Sequence, residues 1–178
     1  MATRGVALFL ALALIAGAAA AADDEKPMFT PADQKILAEY RMSMDVAKRC
    51  YEAWKSVLQS ADGNPALHKE LAEPESDDDA DTIADMVKEA ETHLPNTSAA
   101  LKGAGCTMRD TIVMFMEATA VEAADLAKQM GGDAKEFSFI QSETVAFFEK
   151  NGETLRGYVD DIEQLHREKF PEAHKDDD

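Results

Sequence analysis

The sequence predicts an all-α fold, an antiparallel four-helix bundle with a crossover connection, stapled by one disulfide. Three observations lead there. Apolar residues recur at spacings of three and four along most of the chain, as one face of a helix requires, with no strand-like alternation. Breaks at residues 61–78, at Pro95 and at Gly131-Gly132 divide the pattern into four stretches. Two cysteines, Cys50 and Cys106, stand in different stretches of a chain whose first residues address it to an oxidising compartment.

That address is residues 1–22. Arg4 precedes an apolar run from Val6 to Ile15, and Gly17 to Ala22 are small, the pattern of a secretory signal peptide cleaved between Ala18 and Ala22. The run is about half the ~20 residues a membrane-spanning helix needs, and no later segment is apolar enough to span a bilayer. No cysteine lies near the cleavage region to carry a lipid anchor. The expected location is secreted or periplasmic, with one domain over 23–170 and a polar tail over 171–178. A domain of this size buries roughly 68–70% of its unfolded-chain surface.

Asp and Glu number 35 against 18 Lys and Arg, a formal charge of -17. Removing the leader with Arg4 takes the mature chain to near -18. So acidic a surface excludes nucleic acid and anionic membrane as partners, because it has no excess of cations to neutralise phosphates or meet headgroups. Basic proteins, cations or an apolar small molecule are the partners it allows.

The elements follow in order. Thr30, with Pro31 behind it and Asp33 three residues on, opens the first helix. Its stripe is Leu37, Tyr40, Met44, Ala47, Tyr51, Trp54 and Leu58, broadened by Ile36, Cys50 and Val57, and it ends near Asp62-Gly63. Residues 61–78 form an acidic linker with Gly63, Pro65 and Pro74, in which Asn64-Pro65 opens at most one short helix to Leu71. A second helix runs from about Asp79 to Leu94 on Ile83, Met86, Val87 and Ala90, its acidic first turn suiting the helix dipole. Pro95 ends it. The third runs from Thr97 to Met130 through Leu101, Met108, Ile112, Phe115, Met116, Thr119, Ala123 and Leu126. Gly103 and Gly105 each cost about 1 kcal/mol in a helix interior, which leaves its first two turns open to being a loop. Asp133 caps the last helix, on Phe137, Ile140, Thr144, Phe147, Phe148, Asn151, Leu155, Tyr158, Ile162 and Leu165 before Pro171, with Asn151 and Gly152 interrupting its middle. His174 to Asp178 read as a frayed tail.

The cysteines select the topology. Cys50 falls about 15 Å before the end of the first helix and Cys106 about 14 Å after the start of the third, so the heights match only if those helices run antiparallel. Simple up-down-up-down order separates them by about 16 Å, beyond a disulfide's reach. The linker over 61–78 is long enough to return the chain along the bundle, hence the crossover. The bridge closes a loop worth roughly 4 kcal/mol in the chain-entropy model.

Few residues carry chemistry. Glu163 and His166 have the Glu-x-x-His spacing by which carboxylate-bridged di-iron bundles aim ligands inward, but the second pair is missing, since Glu89 and His93 are one residue too far apart. A haem b site would use Met42 or Met44 with His166, and needs the first and last helices antiparallel. The run from His166 to Phe170 resembles the end of a b-type cytochrome bundle over these few residues alone, too few to name a family. Covalent haem is excluded, for Cys-x-x-Cys-His is absent. The pairs Met42/Met44 and Met114/Met116 suggest copper(I), yet residues two apart on a helix project about 200° from each other and cannot chelate one ion. Asp77, Asp79 and Asp81 begin like an EF-hand, but Thr82 stands where glycine belongs and Lys88 where the bidentate glutamate belongs. Asn96-Thr97-Ser98 is a glycosylation sequon.

Nucleophile elbows, glycine-rich phosphate loops and His-Glu-x-x-His are all absent. The expectation is a protein without catalytic activity, cofactor or metal, with a binding or structural role in the cell envelope or periplasm. A noncovalent haem or metal carrier is the first alternative. An apolar-ligand binder is the second, its cavity lined by Tyr51, Trp54, Phe115, Phe147 and Phe148.

Overall fold

Helix-capping side chains lay out most of the chain, and the computed structural model describes residues 27–73, 80–131 and 134–174 of it. Residues 1–26, which include the expected signal peptide, the acidic run at 74–79, Gly132, Asp133 and residues 175–178 lie outside the described residues. Within them the chain is helical and holds no strand. Its helices are α1 (Pro31–Glu39), α2 (Met44–Ser60), α3 (Pro65–Ala72), α4 (Ile83–His93), α5 (Pro95–Gly103), α6 (Met108–Gln129) and α7 (Ser142–Lys169).

Thr30 opens α1 in a reciprocal capping box. Its hydroxyl oxygen accepts from the Asp33 N–H, and Asp33 Oδ2 accepts from the Thr30 N–H at 3.0 Å. Asp33 is buried, and its other oxygen accepts from the Ile83 N–H at 2.8 Å, so one carboxylate caps α1 and holds the start of α4. Asn64 caps α3 and Thr82 caps α4, each accepting from the backbone three residues on. Glu70 on α3 accepts from the Asn96 and Thr97 N–H groups at 3.0 and 2.8 Å, capping α5 from another helix.

The first predicted helix is two. α1 stops at Glu39, Tyr40 to Ser43 lie outside any helix with Tyr40 and Ser43 extended, and Ser43 caps α2 through Val46 N–H. Leaving the helix lets the Tyr40 hydroxyl donate to Asp110 on α6 at 3.4 Å, and serine is worth more as a cap than inside a helix. The third predicted helix is also two. Pro95 stops α4 and is itself the first residue of α5, where its missing N–H costs nothing. α5 ends in a Schellman turn: Gly105 at φ +92°, Gly105 N–H to Lys102 O, and Cys106 N–H to Leu101 O. Thr107 and Asp110 then form a second capping box that opens α6.

The last helix departs from expectation at its start and in its middle. Residues 134–137 make one 3-10 turn, and α7 begins only at Ser142. It runs unbroken through Asn151 and Gly152, because Asn151 Nδ2 donates back to the Phe147 carbonyl and keeps its amide satisfied within the helix. Pro171 ends it as predicted, although Pro171–His174 form a further 3-10 turn.

Cys50 and Cys106 are joined, their Cα atoms 4.9 Å apart. The bridge ties the turn between α5 and α6 to the middle of α2, with Cys106 outside either flanking helix. α2 and α7 lie side by side. Tyr51 stacks on Tyr158 at 4.3 Å between ring centroids, Lys55 reaches Asp161 at 3.1 Å, and Lys169 pairs with Asp62. Residue numbers rise together along both helices, which therefore run parallel. Leu58, Leu101, Val113, Ile83 and Phe170 belong to one continuous buried core.

Candidate functional site

The buried face of α6 is Met108, Ile112, Val113, Glu117, Ala120, Val121 and Ala124, a stripe with a carboxylate at its centre. The predicted stripe is rotated from this one. Phe115, Met116 and Thr119 are half-buried, and Leu126 is 41% exposed. Reading apolar residues alone passes over Glu117; the signal is the spacing of Val113, Ala120 and Val121 around it.

Glu117 is 2% exposed, and neither carboxylate oxygen has a hydrogen-bond partner. It borders a cavity of about 10 Å³ with Leu37 of α1, Ala120 of α6, Ile140 in the bend before α7 and Thr144 of α7, space for about one water. Burial pushes its carboxyl up to about 7, and the Arg41 charge offsets only part of that. Arg41 itself is engaged at the seam between α1 and α7. Its guanidinium donates to Gln141 Oε1 at 2.7 Å and to the Ala38 carbonyl at 3.2 Å, while Gln141 Nε2 donates to the same carbonyl at 2.6 Å. Beside it, burial first and the neighbouring Asp110 charge next raise the Tyr40 hydroxyl above the usual tyrosine range. A carboxyl that titrates near neutrality in a water-sized space can hold or release a proton, but it has no room for an organic substrate.

The residues singled out from sequence fall elsewhere. Glu163 pairs with Arg167 at 3.7 Å, and a ring nitrogen of His166 meets the Leu71 carbonyl at 3.0 Å, so the Glu-x-x-His side chains are engaged separately. Met42 precedes α2 and Met44 begins it, whereas His166 stands near the end of α7. With the two helices parallel, His166 lies toward the far end of α2, about 24 Å along it, and the structure does not assemble the methionine and histidine pair suggested for haem. Trp54 is buried and donates to Thr111 Oγ1 at 3.1 Å. Tyr51, Phe115, Phe147 and Phe148 are half-buried; Phe147 and Phe148 meet edge to face, and none of the five aromatics lines the Glu117 cavity. Cys50, Cys106 and Asp110 bring possible ligand atoms within 4.8 Å, but sulfurs spent on a disulfide offer no thiolate to a metal. Asn96 of the sequon is exposed, while Thr97 is buried and donates its hydroxyl to Glu70 at 2.9 Å.

No helix among the described residues is long and apolar enough to cross a membrane. Comparison with known proteins finds no matching family model, curated protein or solved structure.

Proposed function

We propose that this protein is an exported, non-catalytic helical bundle that binds basic partners through its acidic surface in the cell envelope or periplasm. One observation supports the reading. Among the described residues the buried set is apolar apart from Asp33, Thr97 and Glu117, so nearly all the acidic side chains described there reach the surface. A surface of that sign attracts cationic partners and speeds their encounter. We read the arrangement as a crossover four-helix bundle on α2, α4, α6 and α7, with α1, α3 and α5 flanking. The parallel run of α2 and α7 supports that reading, because up-down-up-down order sets first and last helices antiparallel.

The test is titration of the exported protein with poly-L-lysine, with poly-L-glutamate as control. Saturable binding that persists at 0.15 M salt and weakens as salt rises is expected. Absence of binding at that ionic strength overturns the reading. Absorbance in the haem Soret region, elemental analysis and mass spectrometry of bound lipid, all on the same sample, address the carrier alternatives. A stoichiometric chromophore, metal or lipid would put one of them in its place.

A further inference from the structure

The seam where α1 and the start of α7 close on α6 contains a group that costs free energy when ionised. A carboxylate with both oxygens unpartnered at 2% exposure is stable there only as the neutral acid, unless water or a cation reaches it. A resident metal does not suit the space. It would meet two carboxylate oxygens and the Thr144 hydroxyl against Leu37, Ala120 and Ile140, far short of the six to eight oxygens calcium takes.

We propose that Glu117 is a proton-operated latch: the protonated acid keeps α1 and the first turns of α7 shut on α6, and ionisation opens that seam to water. The surroundings favour two arrangements. α1 contributes Tyr40, held by Asp110 of α6, and Arg41, the charge that acts on Glu117. α7 brings Thr144 to the cavity, with Glu143 exposed beside it, and Lys135 in the 3-10 turn is exposed. α4 packs through Ile83, Met86, Val87 and Ala90, leaving Asp85, Lys88 and Glu91 exposed. In the closed arrangement Arg41 is bonded to Gln141, the residue that precedes α7, and so clips α1 to α7. An ionised Glu117 competes for the same guanidinium, and that competition weakens the clip. The upward displacement of the Glu117 carboxyl to about 7 places the transition near neutral pH.

Native-state hydrogen exchange on the exported protein from pH 5 to 8.5, corrected for intrinsic exchange rates, tests the latch. Opening of residues 31–39 and 142–148 should rise by nearly tenfold per pH unit from pH 5 towards pH 7, reach a total of roughly 70-fold across the range, and then level off. Glu117→Gln, a permanent stand-in for the neutral acid, should flatten that profile. Coincident wild-type and Glu117→Gln profiles overturn the proposal, as does pH-dependent loss of protection spread equally over α2 and the rest of the core. Should the variant fail to fold, carbon-detected NMR of the wild-type Glu117 carboxyl decides the matter. A midpoint near 7 that coincides with the loss of α1 protection supports the latch, and a midpoint near 4.5 sinks it.

Discussion

At the residue scale, two buried side chains carry the sharpest consequences, and only one of them is legible in the sequence. Trp54 lies on the predicted stripe of the most regular segment, is 5% exposed and spends its indole N–H on Thr111. Truncation to alanine should cost about 3–5 kcal/mol in denaturant unfolding, through lost contacts and the cavity left behind. A loss below about 1 kcal/mol would show that the ring packs loosely. Glu117 is not legible, because a lone glutamate between Met116 and Ala118 reads as solvent-facing until the helix phase is known. Its pH signature follows from the direction of its shift. The folded carboxyl titrates near 7 and the unfolded one near 4.5, so between those values the folded state holds the extra proton. Stability therefore falls as pH rises from about 4.5 to 7, by up to roughly 3 kcal/mol, and is flat above that range. Glu117→Leu should abolish this slope and exceed wild type in stability at pH 8, as read from urea unfolding at each pH.

At the element scale, caps are easier to read than the spaces between them. Thr30, Asn64 and Pro171 sit where their chemistry places a boundary, since each acts on backbone within a few residues of itself. The break at Tyr40 to Ser43 is hidden because its stripe continues in phase through Tyr40 and Met44; its physical cause, the Tyr40 bond to Asp110, spans 70 residues. Glycines separate the two cases further. Gly105 sits at φ +92°, and a methyl carbon added there would stand 3.3 Å from Arg49 Cδ, so Gly105→Ala should destabilise by about 1–2 kcal/mol. Gly152 is inside α7 with open space where a methyl would go, and Gly152→Ala should stabilise by about 0.5–1 kcal/mol. Thermal unfolding of the two single variants checks both signs, and equal shifts in one direction would contradict the assigned backbone roles.

At the scale of the whole molecule, the disulfide joins pieces that local sequence cannot relate. Two cysteines behind an expected export signal predict a bridge, but the predicted route between them depends on treating Cys106 as part of a continuous third helix, and it lies in the turn after α5. The bridge spans 56 residues of sequence, a loop that includes all of α3, α4 and α5. Opening it enlarges the unfolded ensemble by roughly 4 kcal/mol in the chain-entropy model, with about 2–4 kcal/mol a typical realised loss. The buried core extends well beyond the bridge, from Phe29 to Phe170, so its apolar contacts survive reduction. Reduction should therefore leave most of the far-ultraviolet helix signal while lowering the melting temperature by roughly 5–15 °C. Loss of the helix signal on reduction at 25 °C would mean that the bridge, more than the core, holds these helices together. Thiol counting in the unreduced, denatured protein fixes the starting point, with no free thiol expected.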